Sequence, residues 1–348
     1  MLFKKGRVAL YGLLQIFPWM NNTELQQALF KQVKERLPVH LSLAEELAAL
    51  LGISADSAYR RIRGEKALDL GELAVVAQKY RVSLDGLIGQ QAGGFLFSGH
   101  FVDNADFSFP DWLASLNAQL EMAADGKDTT FIFQSKDVPL FHHFQVPELA
   151  AFKFFFWRKT ILQHVDPALD RLDLAMRDEG LLAQGRKVFL AYSRMPSTEI
   201  WNAEGMTSTL RQINYYRETG VFRKEEDAQL LFDRCLHLLD HLENQAEHGV
   251  KFPFGTPPEQ GAASYALYHN EVLLGDNAIY ADNGRLRVVF LNHTGVNYLG
   301  TTDPRFVEHT RRSLENIMKR STLISGSGEK ERRRFFKGLR EEVERRRK

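Results

Sequence analysis

The segment Leu41–Gly89, LSLAEELAALLGISADSAYRRIRGEKALDLGELAVVAQKYRVSLDGLIG, decides the fold of the N-terminal part of the chain. Ser42 is followed three residues later by Glu45, a spacing that satisfies two free backbone amides and predicts a helix beginning at Leu43. Gly52 ends this helix, because glycine adopts the left-handed conformation without a clash at Cβ.

A second helix follows after a very short turn. Ser54 caps its start, and the helix is expected to run to about Arg63, where Gly64 stops it. Two helices joined by so short a glycine turn form a helix-turn-helix unit. An arginine-rich helix presented after such a turn fits a DNA major groove.

Further helices flank this unit. An apolar stripe at helical spacing precedes it and ends at Pro38, while Asp69 and Glu72 form a capping pair that opens a later helix. Ser83 caps a last short turn. The apolar positions are Leu25, Leu29, Val33 and Leu37 in the first helix, Leu70, Leu73, Val76, Ala77 and Tyr80 in the later helix, and Leu84, Leu87 and Ile88 in the last turn. Five small helices over residues 20–89 can close one modest core, which predicts an all-α domain.

Residues 22–89 resemble the Cro/lambda-repressor type of helix-turn-helix domain. The matching residues are Leu47-Ala48, Gly52-Ile53-Ser54, Arg63-Gly64 and Val82-Ser83-Leu84-Asp85. In that family the helix after the turn enters the major groove, and its first residues reach base edges. The resemblance implies a DNA-binding surface whose members are Ser54, Ala55, Asp56, Ser57, Tyr59, Arg60, Arg61, Arg63 and Lys66, with Ala55, Asp56 and Arg60 facing the bases.

The chemistry of these side chains separates base contacts from phosphate contacts. The fork of Arg60 fits the O6/N7 pair of guanine, a contact worth roughly 1–3 kcal/mol of discrimination. Asp56 has two interpretations, acceptance of a hydrogen bond from cytosine N4 or stabilisation of the positive helix N-terminus. Arg61, Arg63 and Lys66 suit phosphates, which position a protein without reading sequence.

The sequence departs from the family at two positions. The family usually buries an aliphatic residue where Arg61 stands, and Ile62 is expected to take that role, with a slight rotation of the helix. Ala44 stands where a glutamine commonly meets phosphate. Acidic residues bring the whole module close to neutrality, so we expect two copies on a symmetric site and therefore a homodimer.

Composition sets the class of the whole chain. Its 348 residues predict more than one domain, and 44% hydrophobic with 26% charged residues are typical of a globular protein. A net charge of +1 excludes a protein that coats nucleic acid by bulk charge. The single cysteine, Cys235, excludes an internal disulfide framework and favours a cytoplasmic location, and no apolar run is long enough for a transmembrane helix. Residues 1–19 faintly imitate a secretory signal without a cleavage site, and we expect a dispensable extension before a start at Met20.

The larger C-terminal region has a mixed composition. Residues 90–105 are predicted to be a linker, and residues 106–325 a larger, mainly helical α+β domain for dimerisation and effector binding. Strands are predicted at 129–133, 187–192, 265–268, 278–280 and 285–291, with a hairpin turn at Asp282-Asn283-Gly284. Helices are predicted over 146–165, 196–250, 303–321 and 329–347. The run Phe152–Trp157 would cover well over half of a helix, which leaves burial between layers, an apolar or aromatic ligand pocket and a subunit interface open.

Histidines give a weak signal for metal. His237 and His241 stand at a spacing that can bind a metal ion, with His248 further along. Their neighbours indicate a solvated helix face, and the pair His142-His143 is equally weak. We therefore predict no metal site, no cofactor and no catalytic residue.

The C-terminal end is strongly basic. Ser325–Lys330 lacks the spacing of a phosphate-binding loop and predicts a flexible joint. Residues 326–348 form a basic helix that could add phosphate contacts, but alternating glutamates favour a solvated, partly frayed helix.

The architecture resembles bacterial regulators that join this DNA-binding module to a long C-terminal region. The leading hypothesis is a sequence-specific transcriptional regulator that is not an enzyme. One alternative is an enzyme tethered to DNA, which predicts a polar, titratable cleft within residues 95–325. Another is an adaptor that buries Arg60, Arg61 and Arg63 against a partner protein.

Overall fold

The computed structural model describes residues 21–38, 41–80, 82–84, 87, 94–99, 108–124, 129–272 and 275–348. The chain divides into two compact units, with the division between Leu96 and Phe97. The predicted extension over 1–19 lies outside the described residues, as does most of the predicted linker. Within that linker range, Ser98 pairs with Gly300 of unit 2.

Unit 1 is built from short helices around one apolar core. The helices are α1 (Asn22–Arg36), α2 (Leu43–Leu51), α3 (Ala55–Arg63) and α4 (Leu70–Lys79). The fully buried members of the core are Leu29, Phe30, Val33, Leu47, Ala58, Val76, Val82 and Leu87. The predicted turn after Ser83 falls mostly outside the described residues, so the count of five helices stays a prediction.

Local capping signals account for most of these boundaries. Asp69 and Glu72 form the predicted capping box at the start of α4. The left-handed conformation occurs at Gly52 and Gly64, with φ of 64° and 80°, and these residues end α2 and α3. The prediction of a capping box at Ser42 was wrong in its mechanism, because α2 begins at the expected residue but the Ser42 side chain accepts no capping hydrogen bond.

Unit 2 is organised around a seven-stranded mixed sheet. The strands are β1 (Thr130–Gln134), β2 (Ser197–Trp201), β3 (Tyr265–His269), β4 (Ala278–Asp282), β5 (Arg287–Thr294), β6 (Asn297–Thr301) and β7 (Thr322–Leu323), in the order β6-β5-β4-β1-β2-β3-β7. Strands β1, β2 and β3 are parallel, and the other pairings are antiparallel. The expected α+β class is therefore confirmed for this part of the chain.

Helices cover both faces of the sheet. They are α5 (Phe109–Ala124), α6 (Leu140–His143), α7 (Pro147–Phe156), α8 (Glu179–Ser193), α9 (Thr207–Glu218), α10 (Glu225–His248), α11 (Pro304–Lys319) and α12 (Glu329–Arg347). Since side chains alternate along a strand, Phe131 and Phe133 enter the large core with most of these helices. Ile132 faces the other side, where Val307 and Leu314 of α11 close a smaller core.

Two predictions of local structure were wrong. Residues 187–192 lie inside α8, because their apolar side chains are buried by tertiary packing and not by strand pairing. Strand β2 lies within the stretch 196–250 that was expected to be helical. Its sequence, STEIW, gives little indication of a buried strand, because the polar Glu199 is fully buried there. The other predicted strands coincide with β1, β3, β4 and β5.

The aromatic run Phe152–Trp157 is core. All of its side chains are buried, and it continues from α7 into a π-helical turn over Trp157–Ile161. A Cβ added at Gly185 of α8 would lie 2.7 Å from the Phe154 ring, which explains how closely the two helices approach. Burial between layers is thus the interpretation that the structure supports.

The basic helix α12 is not a solvated, frayed helix. Phe335, Phe336, Leu339 and Val343 are buried in the large core. Arg332 is also buried and donates to the carbonyl oxygens that precede the helix. The predicted flexible joint before it is packed as well, since the buried Ser325 hydroxyl accepts from the backbone N–H of Leu267. The expectation of a solvated, frayed helix was wrong because the alternating charges lie only on the outer face of α12.

Candidate DNA-binding surface

The second helix of the helix-turn-helix is held at both ends by local contacts. Ser54 Oγ accepts from the backbone N–H of Ser57 at 3.3 Å, which caps the start of α3. Ala58 is fully buried against the core, and Gly64 in the left-handed conformation ends the helix. These contacts determine which face of α3 points inward.

A glutamine on α1 fixes the C-terminal end of α3. Gln26 Nε2 donates to the carbonyl oxygens of Arg61 and Lys66, the latter at 2.8 Å. Its Oε1 accepts from the backbone N–H of Leu68 at 2.8 Å. Gln26 is buried, so these bonds are shielded from water and hold the loop after α3. Sequence reasoning missed this residue, because the partners are backbone groups far away in the chain.

Arg61 does not belong to the predicted DNA-binding surface. Its side chain is only 4% exposed and pairs with Glu72, with Nε 2.9 Å from Oε2 and Nη2 2.5 Å from Oε1. Nη1 also donates to the carbonyl oxygen of Ser57 at 3.2 Å. The guanidinium group therefore has its partners inside unit 1, and the expectation of a phosphate contact at Arg61 is corrected.

The same ion pair corrects the expectation that Ile62 takes the inward position in place of Arg61. Arg61 itself occupies the inward position that the resembling family fills with an aliphatic residue, and Ile62 is only partly buried beside it. Glu72 supplies the charge that makes an arginine acceptable there.

The remaining predicted residues lie on the outer side of α3 and the following loop. Tyr59 is 51% exposed, and the side chains of Arg60 and Arg63 are 52% and 58% exposed. The other members are Ser54, Ala55, Asp56 and Lys66, which are exposed, and Ser57, which is half-buried. The predicted residues other than Arg61 are thus exposed or half-buried on α3, at its N-cap and in the loop that follows.

Glu65 is a neighbour of both exposed arginines. Its carboxylate lies 3.9 Å from Arg60 Nε and 2.8 Å from Arg63 Nε. Exposed pairs of this kind contribute about 0–1 kcal/mol, so a competing anion can displace the carboxylate. The short spacing between Arg60 and Glu65 was the only sequence signal for this contact.

Acidification is expected to weaken unit 1. The hydrogen bond from Arg61 holds the pKa of Glu72 below its ordinary value of 4.5. A depressed pKa in the folded state gives stability that is fully present above the unfolded pKa, near 4.5, and is lost as the pH falls through the lower folded value. Hydrogen exchange of the α3 and α4 amides between pH 7 and pH 3 measures this loss, after correction for intrinsic exchange rates. If the Glu72→Gln variant lost protection at low pH in the same way as the unmodified protein, protonation of Glu72 would not be the cause of the loss.

Unit 2 contains a buried cluster of titratable side chains that the sequence did not reveal. His142 Nε2 lies 2.9 Å from Glu199 Oε1, and the Tyr265 hydroxyl donates to Oε2 at 3.1 Å. The Tyr192 hydroxyl donates to Oε1 as well. Burial raises the pKa of Glu199, but the opposing effects of His142 and Tyr192 outweigh it and leave the pKa below the usual value. The two carboxylate oxygens therefore accept from both tyrosine hydroxyls and pair with His142.

Lys251 completes this cluster. Its Nζ donates to the Tyr192 carbonyl oxygen at 2.8 Å and to Ser197 Oγ at 2.9 Å, and lies 3.8 Å from the centre of the Tyr192 ring. Burial lowers the pKa of Lys251 to about 7, an effect that Glu199 partly offsets. All of these side chains are inaccessible to solvent, so the arrangement is one of structural support.

The histidines noted in the sequence do not form a metal site in the described part of the chain. No group of histidine, cysteine and acidic side chains is close enough there to hold an ion. His241 is buried and donates to the Phe252 carbonyl oxygen at 3.0 Å, which departs from the solvated face expected. His143 is also buried, beside Thr209 at 3.2 Å, and burial holds its pKa well below the usual value.

Across the described ranges, no helix combines the length and the apolar character that crossing a membrane requires. No curated protein and no solved structure matches the chain. Residues 32–98, which include α2, α3 and α4, match the model of the BetR domain. This family is a helix-turn-helix-like DNA-binding domain, and the match indicates a DNA-binding regulatory role for the N-terminal part of the chain.

Proposed function

We propose that the protein is a sequence-specific DNA-binding transcriptional regulator. The observation that carries the proposal is the arrangement of α3, whose inner face is clamped by Arg61, Glu72 and Gln26 while its outer face presents Tyr59, Arg60 and Arg63. A rigid helix with exposed guanidinium groups suits insertion into a major groove. The BetR match of residues 32–98 supports the same role.

Within this proposal the exposed residues divide into two roles. Arg60, together with Ala55 and Asp56 near the start of α3, faces the base edges. Arg63 and Lys66, with Ser54, Ser57 and Tyr59, contact the backbone of the duplex. This is the Cro/lambda-repressor type of docking, with Arg61 removed from the contact set.

A dimer on a two-fold site is part of the proposal. The few bases of one copy are balanced by nearby acids, among them Glu65, so a single copy gives little electrostatic affinity. Two copies on a symmetric site double the number of contacts with DNA without adding a new kind of contact. Unit 2 is the region that we propose to dimerise and to respond to a ligand.

Arg60→Ala is expected to weaken binding to the preferred duplex by roughly 1–3 kcal/mol and to relax the preference for one base. Genome-wide mapping of bound fragments with the full chain identifies that duplex, and fluorescence anisotropy then gives the affinity and the number of chains bound. Arg63→Ala is the matched comparison, because loss of a phosphate contact lowers affinity for all duplexes and reduces the salt dependence. Equal affinity for every duplex, unaffected by Arg60→Ala, would contradict the proposal.

The two alternatives make different predictions. An adaptor would bury Arg60 and Arg63 against a protein, and Arg61 can take no part in such a surface because it is already buried. A DNA-tethered enzyme requires a polar, titratable cleft, and a cleft of that character lies in unit 2 with His269 among its lining residues. Chemical conversion of a ligand bound in that cleft would favour the enzyme.

A further inference from the structure

A cleft of about 510 Å³ lies in unit 2 where the carboxyl ends of β2 and β3 meet α12. Ala203 and Glu204 follow β2, while His269 ends β3 and Glu271 comes shortly after it. In open sheets with parallel strands, ligands bind beyond the carboxyl ends of the strands, where the loops leave a crevice. A volume in this range suits a small organic molecule.

Gly338 of α12 leaves open space in the cleft, and neither its neighbours nor its backbone conformation requires a glycine at this position. Gly338 lines the cleft in the middle of the helix, and a Cβ added there would meet no atom within 4 Å. Its φ is not in the left-handed region, so the backbone does not need glycine either. Glycine weakens a helix interior, because it loses more conformational freedom on folding than other residues. Beside it, the buried Phe335 and Leu339 form an apolar floor.

The end of the cleft near the C-terminal end of α12 is basic. Arg345 and Arg346 share one carboxylate, Glu342. Arg211 of α9 makes no ion pair within 4 Å among the residues that the structure describes. It lies about one turn from Asn214, whose Nδ2 donates to the carbonyl oxygen of Arg346 at 3.1 Å. The whole lining holds four arginines and four glutamates, so its formal charges balance. Three of the arginines stand at this end with Glu342, while Glu204 follows β2, which leaves a local excess of positive charge here.

At the opposite end of the cleft, acidic side chains outnumber basic ones. Glu271 and Glu331 line it together with Arg334. Burial lowers the pKa of His269, and Arg334 lowers it further against the effect of Glu271. An anion is therefore directed to the basic end. Between Gly338 and Arg345 the helix advances about 10 Å, which leaves space for the body of the ligand.

We propose that this cleft binds a small organic anion, a carboxylate or a phosphate ester. Arg211, Arg345 and Arg346 hold the anionic group, since guanidinium forks match both chemistries with paired hydrogen bonds. The organic body lies over Gly338 and the apolar floor. The proposal goes beyond DNA binding, because the cleft lies wholly in unit 2. It assigns an anionic ligand to unit 2, where the aromatic run had left an apolar or aromatic ligand open as one of three interpretations.

The test uses the full chain and isothermal titration calorimetry at constant ionic strength. The probes are citrate and glucose 6-phosphate, with glucose and inorganic phosphate as controls that lack either the charge or the organic body. We expect at least one organic anion to bind more tightly than both controls. Arg211→Ala should weaken that binding about tenfold or more, since it removes a charged hydrogen-bond donor.

Two further variants keep the proposal falsifiable. Arg333→Ala also removes an arginine of α12, but this residue is exposed, pairs with Glu329 and lies outside the cleft, so binding should stay unchanged. Gly338→Leu fills the cleft and should abolish binding without lowering the unfolding temperature of the ligand-free protein. Failure of both organic anions to bind more tightly than the controls would overturn the proposal, as would unchanged binding in Arg211→Ala and Gly338→Leu.

Discussion

Glu199→Ala is expected to lower the free energy of unfolding of unit 2 by about 4 kcal/mol, enough to unfold it in many conditions. The substitution removes the one carboxylate that accepts from Tyr192 and Tyr265 and pairs with His142. It leaves these buried polar groups without a partner and creates a cavity beneath the sheet. Urea unfolding followed by tryptophan fluorescence measures the loss, since Trp112, Trp157 and Trp201 all lie in unit 2.

Glu218→Ala is the control for this prediction. Glu218 is exposed at the end of α9, so its loss should change stability by less than about 0.5 kcal/mol. Glu199→Gln keeps the volume but turns one acceptor into a donor, and its effect should lie between the two. If Glu199→Ala unfolded at the same urea concentration as Glu218→Ala, the buried cluster would have no stabilising role.

Arg61→Ala is expected to destabilise unit 1 by about 3 kcal/mol and to abolish DNA binding without removing a DNA contact. Alanine leaves the Glu72 carboxylate without its partner and frees the inner face of α3. A helical domain of this size has little stability to lose. Hydrogen exchange measured by mass spectrometry on the full chain should show faster exchange across α1 to α4 and unchanged exchange in unit 2.

Arg63→Ala supplies the matched control on the same helix. Its side chain is mostly exposed, so protection of α1 to α4 should stay near that of the unmodified protein. The double variant Arg61→Leu with Glu72→Leu should recover most of the stability, because two apolar residues replace a buried ion pair with little net cost. Equal protection in Arg61→Ala and Arg63→Ala would show that the pair does not hold α3.

The helix-turn-helix was predictable because its signals are local. Ser54, Gly52 and Gly64 act on backbone groups within a few residues, and the structure places the helix boundaries where these residues predict them. Arg61 was misplaced because its partner Glu72 lies on the next helix, and no spacing rule connects the two. Gln26 escaped notice for the same reason, since it binds backbone atoms about forty residues away.

Unit 2 was harder to predict because its strands depend on distant partners. Hairpin strands such as β4 and β5 carry a turn signal between them at Asn283 and Gly284, and they were found. The short parallel strand β2 pairs with β1 and β3, which lie far from it in sequence. Its Glu199 would be costly in a core without His142 and the two tyrosines. Such a constellation is visible only in three dimensions.

The burial of Phe336 and Val343 also sets the order in which the protein can mature during translation. Unit 1 leaves the ribosome first and has all of its own core residues, so it can fold while the rest is still being made. Unit 2 cannot complete its folding until α12 has been made, because α12 contributes buried side chains to its largest core. At about 5–20 residues per second, the interval is on the order of ten seconds to a minute. During that time the aromatic side chains of α7 are not fully buried, and we expect them to be accessible to chaperones.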